Sequence, residues 1–141
     1  MGKHSRTELE RGSAMVEFAM LVTLLLLMLF GVIDMSRMFR TCSTMAGAAE
    51  AGVRYGLLSA GNSSNLTGMQ QAALNDANTA AASATATRFC GCSDGSSVSC
   101  SGSCASGSVR LYVQVVTQTP FKSFYPGLPT VIKGKAVMRA K

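Results

Sequence analysis

Histidine and acid are scarce in this sequence. Its 141 residues hold one histidine, His4, near the N-terminus, and seven acids against thirteen Lys and Arg. Beyond Asp34 the acids are Glu50, Asp76 and Asp94, spread singly, with neither metal-ligand spacing nor a phosphate-binding glycine motif beside them. No nucleophile, base and orienting group assemble from such a set. Enzyme activity is not expected, and no catalytic, cofactor-binding or metal-binding residue is assigned.

Large apolar residues are also missing where a globular core would need them. After Asp34 the chain is poor in Leu, Ile and Phe and rich in Ala, Gly, Ser and Thr. Apolar burial alone would hold such a domain only marginally, so staples or neighbouring subunits should help. The net charge of +6 would suit an anionic surface or nucleic acid, or serve solubility. No aromatic residues interleave with the basic cluster as single-strand binding requires. The charge is therefore read as a solubility device, and nucleic acid is not expected among the partners.

What the chain does have is one concentrated apolar run. Phe18 to Ile33 reads without a charge, and counting back to Ala14 gives twenty residues interrupted only by Glu17. At about 1.5 Å per residue, a helix of that length spans about 30 Å, the thickness of the hydrocarbon layer. The run is longer than the core of a secretory signal, and it passes through Asp34, Arg37 and Arg40 before any small-residue cleavage pattern. Lys3, Arg6 and Arg11 before it against Arg37 and Arg40 after it place the N-terminus in the cytoplasm. Membrane lipid is thus an expected partner. A carboxylate within such a segment costs on the order of 3 kcal/mol at the bilayer centre, so Glu17 asks for a functional reason.

Gly12 followed by Ser13-Ala14-Met15-Val16-Glu17-Phe18 and a long apolar helix resembles the prepilin signature of type IV pilin-like proteins. More narrowly, the stretch from Arg11 to Phe39 is similar to the opening of TadE-like pseudopilins, minor pilins of the tight-adherence (Tad, or Flp) pilus system. A Cys-rich loop, the strand-like VRLYVQVV, a Pro-containing connection and a terminal VMRAK extend the likeness loosely to the rest. The resemblance implies that a prepilin peptidase cuts after Gly12, leaving Ser13 first and Glu17 fifth. Processing then rests on Gly12, Ser13, Glu17 and Phe18, and assembly on Glu17. The commonest Tad form has tyrosine after the acid, where Phe18 keeps the ring and lacks the hydroxyl. A freed Ser13 amine would give Glu17 a positive partner, within one chain or on the next subunit.

The implied function is a structural subunit of a Tad-type pilus, supporting pilus biogenesis, adherence or secretion. Its partners would be other pilin or pseudopilin subunits, the prepilin peptidase and the Tad inner-membrane assembly machinery. It would sit in the bacterial inner membrane as a single span with a periplasmic C-terminal domain, or outside the cell within the pilus. The alternative is an uncleaved single-span anchor presenting a disulfide-bonded binding domain. A third reading, an exported metal-binding module, depends on reduced cysteines.

The expected fold is α+β, in four stretches. Residues 1–12 are a leader, 13–34 the transmembrane and assembly helix, 35–60 a stalk helix, and 61–141 a small extracytoplasmic domain with a Cys-rich loop at 90–104. Ala46, Gly47, Ala49, Ala51 and Gly52 form a small-residue stripe on the stalk. It would admit a neighbouring helix or fold back on its own domain. Asp34 is expected to mark the water interface. The methionines are read as packing residues.

Ser59 to Ser64 should end the stalk, with Gly61 as a left-handed cap. Leu66 to about Thr87 reads as a second, Ala-rich helix. The sequons at Asn62 and Asn65 are short patterns in a Ser-rich loop and carry no assignment.

Cys90, Cys92, Cys100 and Cys104 surround the turn dipeptide Asp94-Gly95. Disulfides are preferred over zinc, since no His or Asp shell accompanies them. A hairpin makes nested pairs, Cys92 with Cys100 and Cys90 with Cys104, the simplest choice, and the other two pairings stay open. Cys42 is left over near the outer membrane face, either buried as a small apolar residue, the preferred reading, or available to a neighbouring chain. Alternation predicts strands over 109–118 and near 132–139. Between them, Phe121, Phe124 and Tyr125 are expected to cover one edge of the sheet.

Overall fold

The computed structural model describes residues 4–105, 107–124 and 127–140, with side chains from residue 14 onward. The chain divides into two compact units, 1–37 and 38–141. A single helix, α1 (His4–Leu57), carries residues of both. The short α2 (Ala60–Ser64) and α3 (Leu66–Ala77) follow, then β1 (Ser83–Gly91), β2 (Ser97–Val98), β3 (Arg110–Pro120) and β4 (Val131–Arg139). The strands form one antiparallel sheet in the order β2-β1-β3-β4. The α+β expectation holds.

Period-two patterning sets which face of the sheet is inside. Val113, Val115, Thr117 and Thr119 on β3 are buried, as are Ile132, Gly134 and Ala136 on β4 and Ala86 on β1. Against them lie Met45, Ala48, Ala49 and Val53 of α1 and Met69, Ala73 and Ala77 of α3. The core is built from Ala, Val and Met, as the shortage of Leu and Phe requires. Small side chains let backbones approach, and a Cβ on Gly52 would stand 2.8 Å from the Met69 carbonyl oxygen and 3.2 Å from Val115 Cγ1. The small-residue stripe thus serves packing within its own domain in part, with Ala49 and Gly52 buried and Ala51 half-buried while Ala46 and Gly47 stay exposed.

Several expectations fail for identifiable reasons. The helix expected to reach Thr87 stops ten residues earlier at Ala77. Asn78 adopts the left-handed conformation (φ 46°, ψ 38°), and its N–H donates to the Leu74 carbonyl at 3.2 Å. Asn tolerates that conformation better than most residues, so it closes the helix as Gly commonly does. Ser83 to Gly91 is instead a strand, paired with β3 from Ser83↔Gln118 to Gly91↔Arg110. Its Ala-Thr-Ala-Thr alternation looked like helix by composition, but β-branched Thr85 and Thr87 suit the pleat.

Gly61 is not a cap either. Residues Ala60–Ser64 form α2, whose first turn is capped by Ser59 Oγ accepting from the Asn62 N–H at 3.1 Å. Asn65 in turn caps α3, its Oδ1 accepting from the Gly68 N–H at 2.9 Å. Asn62 Nδ2 donates to the Tyr55 carbonyl, so both sequon asparagines hold local structure. Phe121 is buried beside Met45 and Ile132, whereas Phe124 is 77% exposed and does not cover the sheet. Tyr125 lies outside the described residues.

Candidate functional site

The apolar segment sits within α1, which runs without a breaker because no proline interrupts it and Leu, Met and Ala favour the helix. Among its large apolar side chains from Met15 to Ile33, all but Val22 are at least 44% exposed. Exposure on every side distinguishes it from an amphipathic core helix, which hides one stripe. Such a surface is stable in lipid or among other helices.

Glu17 is exposed on this segment beside Phe18, which is 67% exposed. Gly12 and Ser13 lie in the helical run, with side chains outside the described set. Thr23 has its own backbone partner, Oγ1 donating to the Ala19 carbonyl at 2.8 Å. That bond lets a hydroxyl occupy an apolar stretch at little cost. Val16, Ala19, Met20, Thr23, Leu24 and Leu27 line a shallow apolar strip along one side, lowest where Ala19 and Thr23 are short.

At the end of the segment stands Asp34, the residue expected to mark the water interface. It is 1% exposed, and its Oδ1 accepts from Arg37 Nη1 at 3.4 Å. A carboxylate removed from water requires such compensation.

The four clustered cysteines form disulfides, as expected, but not in the nested pattern. Cys90 joins Cys100 and Cys92 joins Cys104, with Cα separations of 5.1 and 5.8 Å. The cause is the register of the β1–β2 hairpin, in which Cys90 faces Val98 and Gly91 faces Ser97. The Cys92 N–H donates to the Ser96 carbonyl at 2.9 Å, and Cys100 comes two residues after the partner of Cys90. A turn closed by the Gly102 N–H on the Ser99 carbonyl follows β2, and Cys100 within it is bonded to Cys90. Asp94-Gly95 makes the hairpin turn, with Gly95 at φ 88°. Asp94 Oδ1 accepts from the Ser96 hydroxyl at 2.7 Å and the Ser96 N–H at 2.9 Å. These bonds, the hydroxyl's first, hold the Asp94 carboxyl below the usual carboxylate range.

Cys42 is the free thiol, and it is exposed rather than buried. Met45, three residues on and on nearly the same side of the helix, is buried, so the exposure of Cys42 does not follow from helix periodicity. No group of His, Cys, Asp or Glu among the described residues is arranged to hold a metal ion.

No curated protein and no solved structure matches the chain. The family model of TadE-like proteins matches residues 12–54, which carry Gly12, Glu17 and the apolar segment. The long apolar helix and this family together fit a membrane-anchored protein. Residues 12–54, most of the N-terminal helix, are thus similar to TadE-like proteins.

Proposed function

We propose that this protein is a minor pilin of a Tad-type pilus, made as a prepilin with its N-terminus inside and trimmed after Gly12. The observation that carries the reading is Glu17, a single acid on a helical segment whose large apolar side chains face outward on all sides. In lipid such a carboxylate is costly until it meets a cation. Cleavage ahead of Ser13 creates one, the new amine, four residues away on the same helix or on the helix of the next subunit.

The charge pair then holds register between apolar helices that otherwise slide freely. The low strip at Ala19 and Thr23 supports close helix approach in the same place. The domain of residues 38–141 completes its own packing with α1, α3 and two disulfides, so assembly falls to the outward segment. Other pilus subunits, the prepilin peptidase and the inner-membrane assembly machinery are the partners of this cycle.

Mass spectrometry of protein extracted from membranes tests it. An N-terminus at Ser13 is expected, and Met1 or Gly2 would indicate the uncleaved anchor. Full-length protein in cells with an active prepilin peptidase overturns the proposal. Glu17→Ala is expected to be cleaved yet absent from sheared filaments, and normal recovery there removes the pairing role.

A further inference from the structure

The face of the sheet turned away from the helices carries cations and aromatic rings that are far apart in sequence. In one cross-strand row Phe89 faces Tyr112 and Tyr112 faces Arg139. The two rings stack, with centroids 5.4 Å apart and planes 15° from parallel. Arg110 is two residues before Tyr112 on the same face, and its buried Nε has no hydrogen-bond partner among the described residues. Along the edge strand β4, Lys133, Lys135 and Arg139 are exposed on this side. None of the four strands contains an Asp or Glu.

We infer that this face binds single-stranded nucleic acid, independently of how the apolar helix assembles. Two lysines a residue apart on a strand stand about 6.6 Å from each other and track a charged backbone. Phe89, 39% exposed, offers a stacking surface at the end of the row opposite Arg139. Charge complementarity selects an anion, and the stacked aromatics select a polymer with flat bases. An acidic glycan shares the charge, but the strands offer no carboxylate to accept from sugar hydroxyls. Phe89, Tyr112 and Arg139 lie far apart along the sequence; the register of β1, β3 and β4 puts them in one row.

The test is fluorescence anisotropy of the full chain in a neutral detergent, using labelled oligothymidine, its duplex with oligoadenosine, and labelled polygalacturonate. Oligothymidine should bind tightest. Phe89→Leu should weaken that binding by about five- to 150-fold, the range for losing one stacked base. Lys133→Gln with Lys135→Gln should reduce the magnitude of the log–log salt slope by about 1.4, two cations at about 0.7 each. Far-ultraviolet circular dichroism and the melting temperature confirm that these exposed-face variants stay folded. Equal binding of polygalacturonate or duplex, or unchanged oligothymidine binding in both variants, overturns the inference.

Discussion

The Thr117 hydroxyl donates a buried hydrogen bond to the Met45 carbonyl at 2.7 Å, across 72 residues of sequence. It ties the centre of β3 to a helix whose own ladder would normally use that carbonyl. Thr117 and Met45 are at most 1% exposed, so neither has water to fall back on. Thr117→Val keeps the shape and leaves the oxygen with one partner fewer. A loss of about 1–3 kcal/mol is expected, read by chemical denaturation of the detergent-solubilised chain.

Gly134 lies against the same stretch of helix, where a Cβ would run into the Met45 carbonyl group and the Ala46 nitrogen. These are backbone atoms and cannot swing aside as a side chain would. Gly134→Ala should cost about 1–3 kcal/mol or more by overpacking. Gly47→Ala is the contrast, since its Cβ would meet only Asp76 Oδ2 at 3.8 Å and a helical Gly gains from a methyl. Thermal melts of the two variants should move in opposite directions.

Alkylation of the unreduced, denatured protein should label Cys42 and no other cysteine. The pairing is tested by removing partners together. Cys90→Ser with Cys100→Ser should still label only Cys42, whereas Cys92→Ser with Cys100→Ser frees one member of each bridge. Closing loops of this size contributes about 2–4 kcal/mol each in the loop-entropy picture, so the first variant should also lower the melting temperature.

Asp94 sets the acid response of the hairpin. Its carboxyl titrates below its ordinary value of 3.8 because Ser96 donates to the charged form. A group depressed on folding contributes stability that is present above its unfolded pKa and lost as pH falls through the folded one. The hairpin should therefore loosen only below about pH 4. NMR titration should place the Asp94 midpoint under 3.8, and Ser96→Ala should move it upward.

Much of this architecture is readable along the chain because its signals are local. The run from Phe18 to Ile33, the alternation through Val113 and Val115, and the Lys133 and Lys135 alternation on β4 each need only neighbouring residues. The stretch from Ser83 to Gly91 does not. Its Ala and Thr residues satisfy a weak helix or a weak strand, and pairing along the full length of β3 settles the choice. Cys42 shows the same limit in reverse, since helix periodicity puts it near the side of buried Met45 and yet it is exposed. Exposed Glu17, the acid on which the proposed assembly role rests, is the residue that sequence singles out most directly, because an acid in an apolar run needs no tertiary context to stand out.

The sequence by itself determined the apolar helix, its single acid, the scarcity of catalytic groups and the presence of a disulfide-stapled domain, all properties of composition and short spacing. Only the tertiary structure decided the strand at 83–91, the pairing of Cys90 with Cys100 and Cys92 with Cys104, and the row that joins Phe89, Tyr112 and Arg139. Strand register couples residues tens of positions apart, and a shift of one residue moves every side chain to the other face. That register is set by the burial of Val113, Val115 and Thr117 beneath α1 and α3, a condition that exists only once the chain has folded.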